Sequence, residues 1–334
     1  MKQLLLLFLC IISQHANAQY QLVWSDEFSG NDLDLTKWTF DIGGSGWGNS
    51  EPQYYTNNNT NIDVDTGYLR ITAINEQFGG SDYTSARIKT EALYDFKYGK
   101  VEARIKLPVG QGLWPAFWML GSNISVVSWP QCGEIDIMEH INNSLYIHGT
   151  YHFNNGGHVY YGDDAFCDVT EFHTYGIEWD ENSIKWFLDG NEFYSANITN
   201  GIGSTEEFHH PFFLILNMAT GGNWPGYPDP NTVFPAHMFV DYVRVYQQAV
   251  DIEETSNNDI SIFPNPTADL LNVKNILPLN RYHINNLSGI LIDQGIIDQN
   301  GQIDVRDLEA GTYIIEIGTP EEGILKRSRF VKSN

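Results

Sequence analysis

The sequence predicts an all-β protein: a jelly-roll sandwich of two antiparallel sheets over residues 19–247, and a smaller β-sandwich over 260–334. Three observations carry this expectation. Short runs rich in β-branched and aromatic residues alternate with Gly, Asn, Asp and Pro clusters along the chain. No long stretch keeps a helical period. All nine tryptophans fall between Trp24 and Trp224, and the polar, acidic segment 248–259 divides them from a tail of different composition.

The elements follow in order. Lys2, the apolar run Leu4 to Ile12 and Ala16-Asn17-Ala18 read as a signal peptide, cleaved after Ala18. That apolar run is too short to span a bilayer, and no other segment is long and apolar enough. Strands are expected at Tyr68–Thr72, Gly99–Ile105, Leu145–Phe153 and Ile184–Leu188, the last followed by the hairpin signal Asp189-Gly190. Pro211 to Met218, apolar but for Asn217, reads as a buried inner strand. In the tail, Ile260 to Pro266, Leu270 to Val273 and Gly311 to Ile317 read as strands, and Lys326 to Lys332 makes a basic finish.

Composition narrows the function. Hydrophobic content of 42% and aromatic content of 13% fit a packed, sheet-rich protein. A formal net charge of −24 argues against nucleic acid or an anionic membrane as partner and mildly favours a neutral substrate. After loss of Cys10 with the signal, Cys132 and Cys167 remain; they either pair or stay as buried thiols.

The most informative segment is Gly133-Glu-Ile-Asp-Ile-Met-Glu-His140. Side chains on a strand alternate faces, so Glu134 and Asp136 share one face while Glu139 should take the other. A one-residue bulge, with Met138 the natural candidate, would bring Glu139 to the same face. Three carboxyls so placed repel one another and lose solvation, which raises at least one pKa. Retaining glycoside hydrolysis needs two carboxyls about 5–5.5 Å apart, one ionised and one protonated at the same pH. A calcium site and a solvated acidic face are the competing readings. The neighbourhood favours the chemistry: Trp114, Trp118 and Trp224 can stack on sugar rings, and His148 and His152 share a face on a nearby strand.

These runs, with Trp114-Pro-Ala-Phe-Trp118, His148-Gly-Thr-Tyr-His152, Phe172 to Trp179 and Leu216 to Pro225, resemble glycoside hydrolase family 16, and most closely its bacterial laminarinase-type endo-β-1,3-glucanases. The resemblance covers roughly residues 20 to 247. It implies a jelly-roll with an open cleft and retaining endo-hydrolysis, with Glu134 as nucleophile, Asp136 as its helper and Glu139 as acid/base. The bulged spacing is that of the laminarinase branch; the lichenase branch has an unbulged E-x-D-x-E. By the same resemblance Trp114, Trp118, Trp224, His152, Arg87, Asn49 and Glu51 contact substrate. Glu27, Asp241 and the backbone oxygen of Gly67 match a structural calcium site, and no cofactor is implied for catalysis.

The tail, opening with Phe263-Pro-Asn-Pro-Thr267 and carrying Gly311-Thr-Tyr313, resembles the sorting domain of the type IX secretion system. A small carbohydrate-binding module is disfavoured by its lack of tryptophan. The whole then reads as a secreted or cell-surface monomeric endo-β-1,3-glucanase whose partners are a β-glucan and the type IX machinery. The alternatives are a hydrolase of mixed-linked glucan or a galactan, and a jelly-roll that binds glucan without cutting it.

Overall fold

In the computed structural model the described residues are 20–248, 260–274, 280–287, 289–297, 300–319 and 323–333. The expected signal peptide and nearly all of the expected linker lie outside them. Residues Tyr20–Gln248 form one compact unit, and the described residues from Ile260 onward belong to a second.

The first unit is two sheets face to face, of ten and seven strands among the described residues. The seven-stranded sheet carries the site. Its order across the sheet is His158–Phe166, Tyr146–Asn154, Glu134–Glu139, Leu113–Gly121, Phe212–Thr220, Arg87–Lys89 and Thr39–Asp41. All neighbours in it are antiparallel. Alternation divides each strand between two environments. Phe117, Met119, Ile135, Ile147, Leu214 and Leu216 join the core between the sheets. Trp114, Trp118, Glu134, His148, His152 and Asn217 face the opposite way and line a cleft.

The bulge is present. Against the Tyr146–Asn154 strand, Asp136 pairs with Thr150 and Glu139 with His148, so Ile137 and Met138 together face Gly149. Against the Leu113–Gly121 strand, Asp136 pairs with Trp118 and Met138 with Phe117, so the inserted residue is Ile137 rather than Met138. Ile137 and Met138 are both fully buried in the core. Two successive apolar side chains thus point inward, and Glu139 is left on the face of Glu134 and Asp136.

A bulge interrupts the ladder and leaves backbone groups to satisfy. Trp186, on the Ser183–Leu188 strand of the other sheet, donates its indole N–H to the Asp136 carbonyl at 2.8 Å. Gly149 makes room for it: a Cβ there would lie 2.6 Å from Trp186 Cδ1 and 2.9 Å from Phe193 Cζ. The indole is wholly buried, so the bond crosses the core from one sheet to the other.

The second unit packs a sheet of Ser261–Phe263, Leu270–Lys274 and Gln302–Asp304 with one of Arg281–Asn286, Leu291–Ile296, Gly311–Thr319 and Gly323–Lys332. Leu271, Ile284, Ile303, Ile315, Ile317 and Phe330 form its core. No helix of the described residues is long and apolar enough to cross a membrane.

Replacing Trp186 by Phe keeps an aromatic ring and deletes the donor. The expected cost is ~1–3 kcal/mol of unfolding free energy, because a buried carbonyl loses its partner. Gly149→Ala, which pushes the indole away from the same carbonyl, should lower stability in the same direction; urea denaturation of both variants checks this.

Candidate active site

The cleft has a volume of about 740 Å³. Glu134, Asp136 and Glu139 lie in its floor, brought to one face by the bulge. Each carboxyl has its own partners. Glu134 accepts a hydrogen bond from the Trp129 indole at 3.1 Å and lies 3.9 Å from His152 Nε2. Asp136, only 3% exposed, accepts from the Thr150 hydroxyl at 2.5 Å and faces His152 Nε2 at 3.0 Å. Glu139 accepts from the Trp114 indole at 2.9 Å.

The electrostatics separate the two glutamates. Burial, then the charge of Asp136, pushes Glu134 up to about 8, while His152, Arg87 and the Trp129 bond pull it back down. Burial and Asp136 drive Glu139 well above the usual carboxylate range. It feels Glu134 as a further negative charge, and only Trp114 and His152 oppose the rise. Glu134 is therefore the first of the two to ionise as pH rises, and Glu139 the one that keeps its proton longer. Burial opposes the charge on His152, yet its bond to Asp136 and the surrounding carboxylates push it up to about 9.

Glu134, Asp136 and His152 also form the one described group of three acidic or histidine residues whose ligand-type atoms lie within 4.8 Å of one another. In the structure these atoms satisfy one another: His152 Nε2 faces Asp136 at 3.0 Å and Glu134 at 3.9 Å, and no step of the chemistry is routed through a metal there.

One flank of the cleft is built from the substrate-contact candidates. The Arg87 guanidinium lies over the rings of Trp118 and Trp47, 4.8 and 5.1 Å from their centroids, and 2.8 Å from the Asp41 carboxylate. Trp118 donates to Asn217 Oδ1 at 2.7 Å, and Asn217 Nδ2 donates to the Tyr55 hydroxyl. Glu51 lines the cleft but is largely enclosed. It is 6% exposed and accepts from Asn49, Gln53 and Tyr55, and burial pushes its carboxyl up. Asn49 stands beside it on the cleft wall. Trp224 sits edge-on to both Trp114 and His148, at 5.5 and 4.9 Å, next to Glu139.

Sequence reasoning missed Trp129, Trp47, Asn217 and His158 as cleft residues. Asn217 had a signal: it is a polar residue inside an otherwise apolar strand. Trp129 lies in a loop with no periodicity to read.

The two carboxylates among the calcium candidates have arginine partners. Glu27 accepts two bonds from Arg244, at 2.9 and 2.7 Å, and Asp241 accepts from Arg104 at 2.7 Å. Gly67 occupies a turn at φ +83°. Two carboxylates already neutralised by guanidinium groups do not fit a calcium ion, and no role is derived through one. Cys132 and Cys167 are both free and buried. Burial, then the Glu134 charge, pushes the Cys132 thiol up to about 12, which rules it out as an active thiolate.

Residues 46–244 match the family described as glycosyl hydrolases family 16, and residues 261–331 match a secretion system C-terminal sorting domain. The chain is 43% identical over 246 residues to a beta-glucanase of Rhodothermus marinus, covering 68% of this chain and 85% of that protein. It is 37% identical over 330 residues to the clotting factor G alpha subunit of Tachypleus tridentatus, covering 93% of this chain but only 47% of that longer protein. Among solved structures, the catalytic domain of an endo-1,3-beta-glucanase (laminarinase) from Thermotoga petrophila matches with a TM-score of 0.65 at 44% identity, over 69% of this chain and 99% of that one.

A buried carboxyl whose folded pKa is raised favours the fold while protonated. That contribution is lost as pH rises from the ordinary glutamate range through about 8 for Glu134. Glu134→Gln should therefore be more stable than the parent at pH 8, by roughly 1 kcal/mol or more, with the difference shrinking towards pH 4.5. Urea midpoints at the two pH values check the sign.

Proposed function

The chain belongs to family 16 of the glycosyl hydrolases, and from that premise we propose that it is a secreted endo-β-1,3-glucanase acting on laminarin-like glucan. Members of this family are retaining glycoside hydrolases and need no catalytic cofactor. The observation that carries the reading is the carboxyl cluster. Two glutamates, separated in acidity by their surroundings, share one face of a bulged strand in an aromatic-lined cleft. The similar structure from Thermotoga petrophila is that of an endo-1,3-beta-glucanase (laminarinase), which supports the substrate, and the net charge of −24 fits a neutral polymer.

In this reading Glu134 attacks the anomeric carbon as Glu139 protonates the departing glycosidic oxygen, leaving a glycosyl ester on Glu134. Glu139, now ionised, takes a proton from water, which displaces the ester and restores both carboxyls. Asp136 orients the pair and, with His152, sets the charge around Glu134. Trp114, Trp118 and Trp224 supply stacking faces, and Arg87, Asn49 and Glu51 hold the sugar on the other side of the cut. The signal peptide, residues 1–18, and the sorting domain, residues 260–334, direct export, and the catalytic unit works as a monomer.

Two variants separate the roles. Glu139→Gln should lose about 10²–10⁴-fold on laminarin. It should keep a fast first step on an aryl β-1,3-oligoglucoside whose leaving group needs no proton. Glu134→Gln should be inactive on both substrates. Wild-type turnover by Glu134→Gln, measured by release of reducing sugar, would overturn the assignment.

A further inference from the structure

We propose that His158 is a positioning residue for this reaction: its imidazole caps His152 and holds it as a double donor, and so a cation, beside the Glu134 carboxylate. The inference rests on the proposed role of Glu134.

The geometry is that of a relay with one end in the cleft floor and the other in solvent. His152 Nε2 faces Asp136 Oδ2 at 3.0 Å, and its Nδ1 lies 2.8 Å from His158 Nε2. The two rings are nearly coplanar, 4° apart with centroids at 5.1 Å. That is the separation of an in-plane imidazole–imidazole hydrogen bond, not of stacked faces. The hairpin register explains the reach. His152 pairs with Tyr160 and Asn154 with His158, so the two histidines are diagonal neighbours on one face. His158 is exposed, but it is flanked by Trp129 at 4.5 Å and Tyr160 at 5.7 Å. Trp129 is the indole that donates to Glu134, so the histidine relay and the nucleophile share a wall.

A neutral imidazole carries one N–H and can donate at only one end. Asp136 accepts at Nε2. If His158 accepts at Nδ1, His152 must carry both protons and a positive charge. The groups around it favour that state. Glu134, Asp136 and Glu139 face it from the Glu134–Glu139 strand, Tyr160 and His158 come from the next strand, and Arg87 is the other cation near Glu134. The two histidines are driven apart in acidity. His152 is pushed up to about 9, against its burial, by Asp136 and the glutamates, while burial and the His152 charge lower His158 and keep it a neutral acceptor. The cation 3.9 Å from Glu134 favours the ionised carboxylate, both as nucleophile and as the leaving group when the glycosyl ester is broken.

The test uses the full chain and two variants. His158→Phe keeps an aromatic ring against Trp129 and Tyr160 but cannot accept; His158→Gln offers an amide oxygen. In His158→Phe the NMR titration midpoint of His152 should fall by at least ~1 pH unit, and the acid limb of kcat/KM on laminarin should move upward by ~0.5–1 unit with KM changed less than ~2-fold. His158→Gln should restore much of both shifts. An unmoved His152 midpoint overturns the proposal, and so does a rise in KM alone, which would make His158 a sugar contact. The parent protein gives an independent arm through its ¹⁵N spectrum at pH 7: two protonated His152 nitrogens support the relay, and a single tautomer overturns it. If the parent does not cut laminarin, the functional reading fails, while the two NMR arms still decide the relay.

Discussion

The site depends on one hydrogen bond made far from solvent. The Trp186 indole reaches across the core to the carbonyl that the bulge at Ile137 frees, and Gly149 is the gap through which it reaches. Were the same six residues to run as a regular, unbulged strand, Glu139 would point into the sandwich and Met138 into the cleft. With it, an apolar pair goes inward and three carboxyls go outward. The bond ties the register of the catalytic strand to the opposite sheet, so the packing of the core and the geometry of the chemistry are set by the same few atoms.

That placement is electrostatically costly, and the surroundings decide how the strain is shared. Asp136 sits deepest and is held by Thr150 and His152. Its charge raises both glutamates, but the cations are on the Glu134 side. Arg87, held between two tryptophans, and His152, held by Asp136 and His158, make that side the place where negative charge is tolerated. Glu139 has an indole donor, and His152 is a weaker influence on it than Asp136. One strand thus presents two carboxyls of different acidity, the asymmetry that the proposed double displacement uses.

Much of this was legible in the sequence, for identifiable reasons. The alternation of Ile135 and Ile137 with Glu134 and Asp136 gave the strand, and the five-residue step to Glu139 gave the bulge. The choice between Ile137 and Met138 as the inserted residue was not legible, because both are apolar and both are buried; only the partner strand's register separates them. The aromatic runs placed Trp114 and Trp118 correctly on the cleft face. The family resemblance makes Glu51 a rim residue; it does line the cleft, but three donors that the sequence does not announce hold it largely enclosed. The resemblance alone marks Glu27 and Asp241 as ligands; their arginine partners, 217 and 137 residues away in sequence, leave no local trace. Trp129, His158 and Trp186 reach their partners through tertiary contacts that no local pattern announces.

The central claim is that the bulge sets Glu134 and Glu139 close together on one face, where the second carboxyl acts on the sugar directly and not through an intervening water. The stereochemistry of the product reports this most directly. Proton NMR of a laminarin digest in its first minutes should show the β-anomer of the new reducing end appearing first, with the α-anomer growing only by mutarotation. An α-anomer formed first would mean single displacement across a wider gap, and would contradict the account.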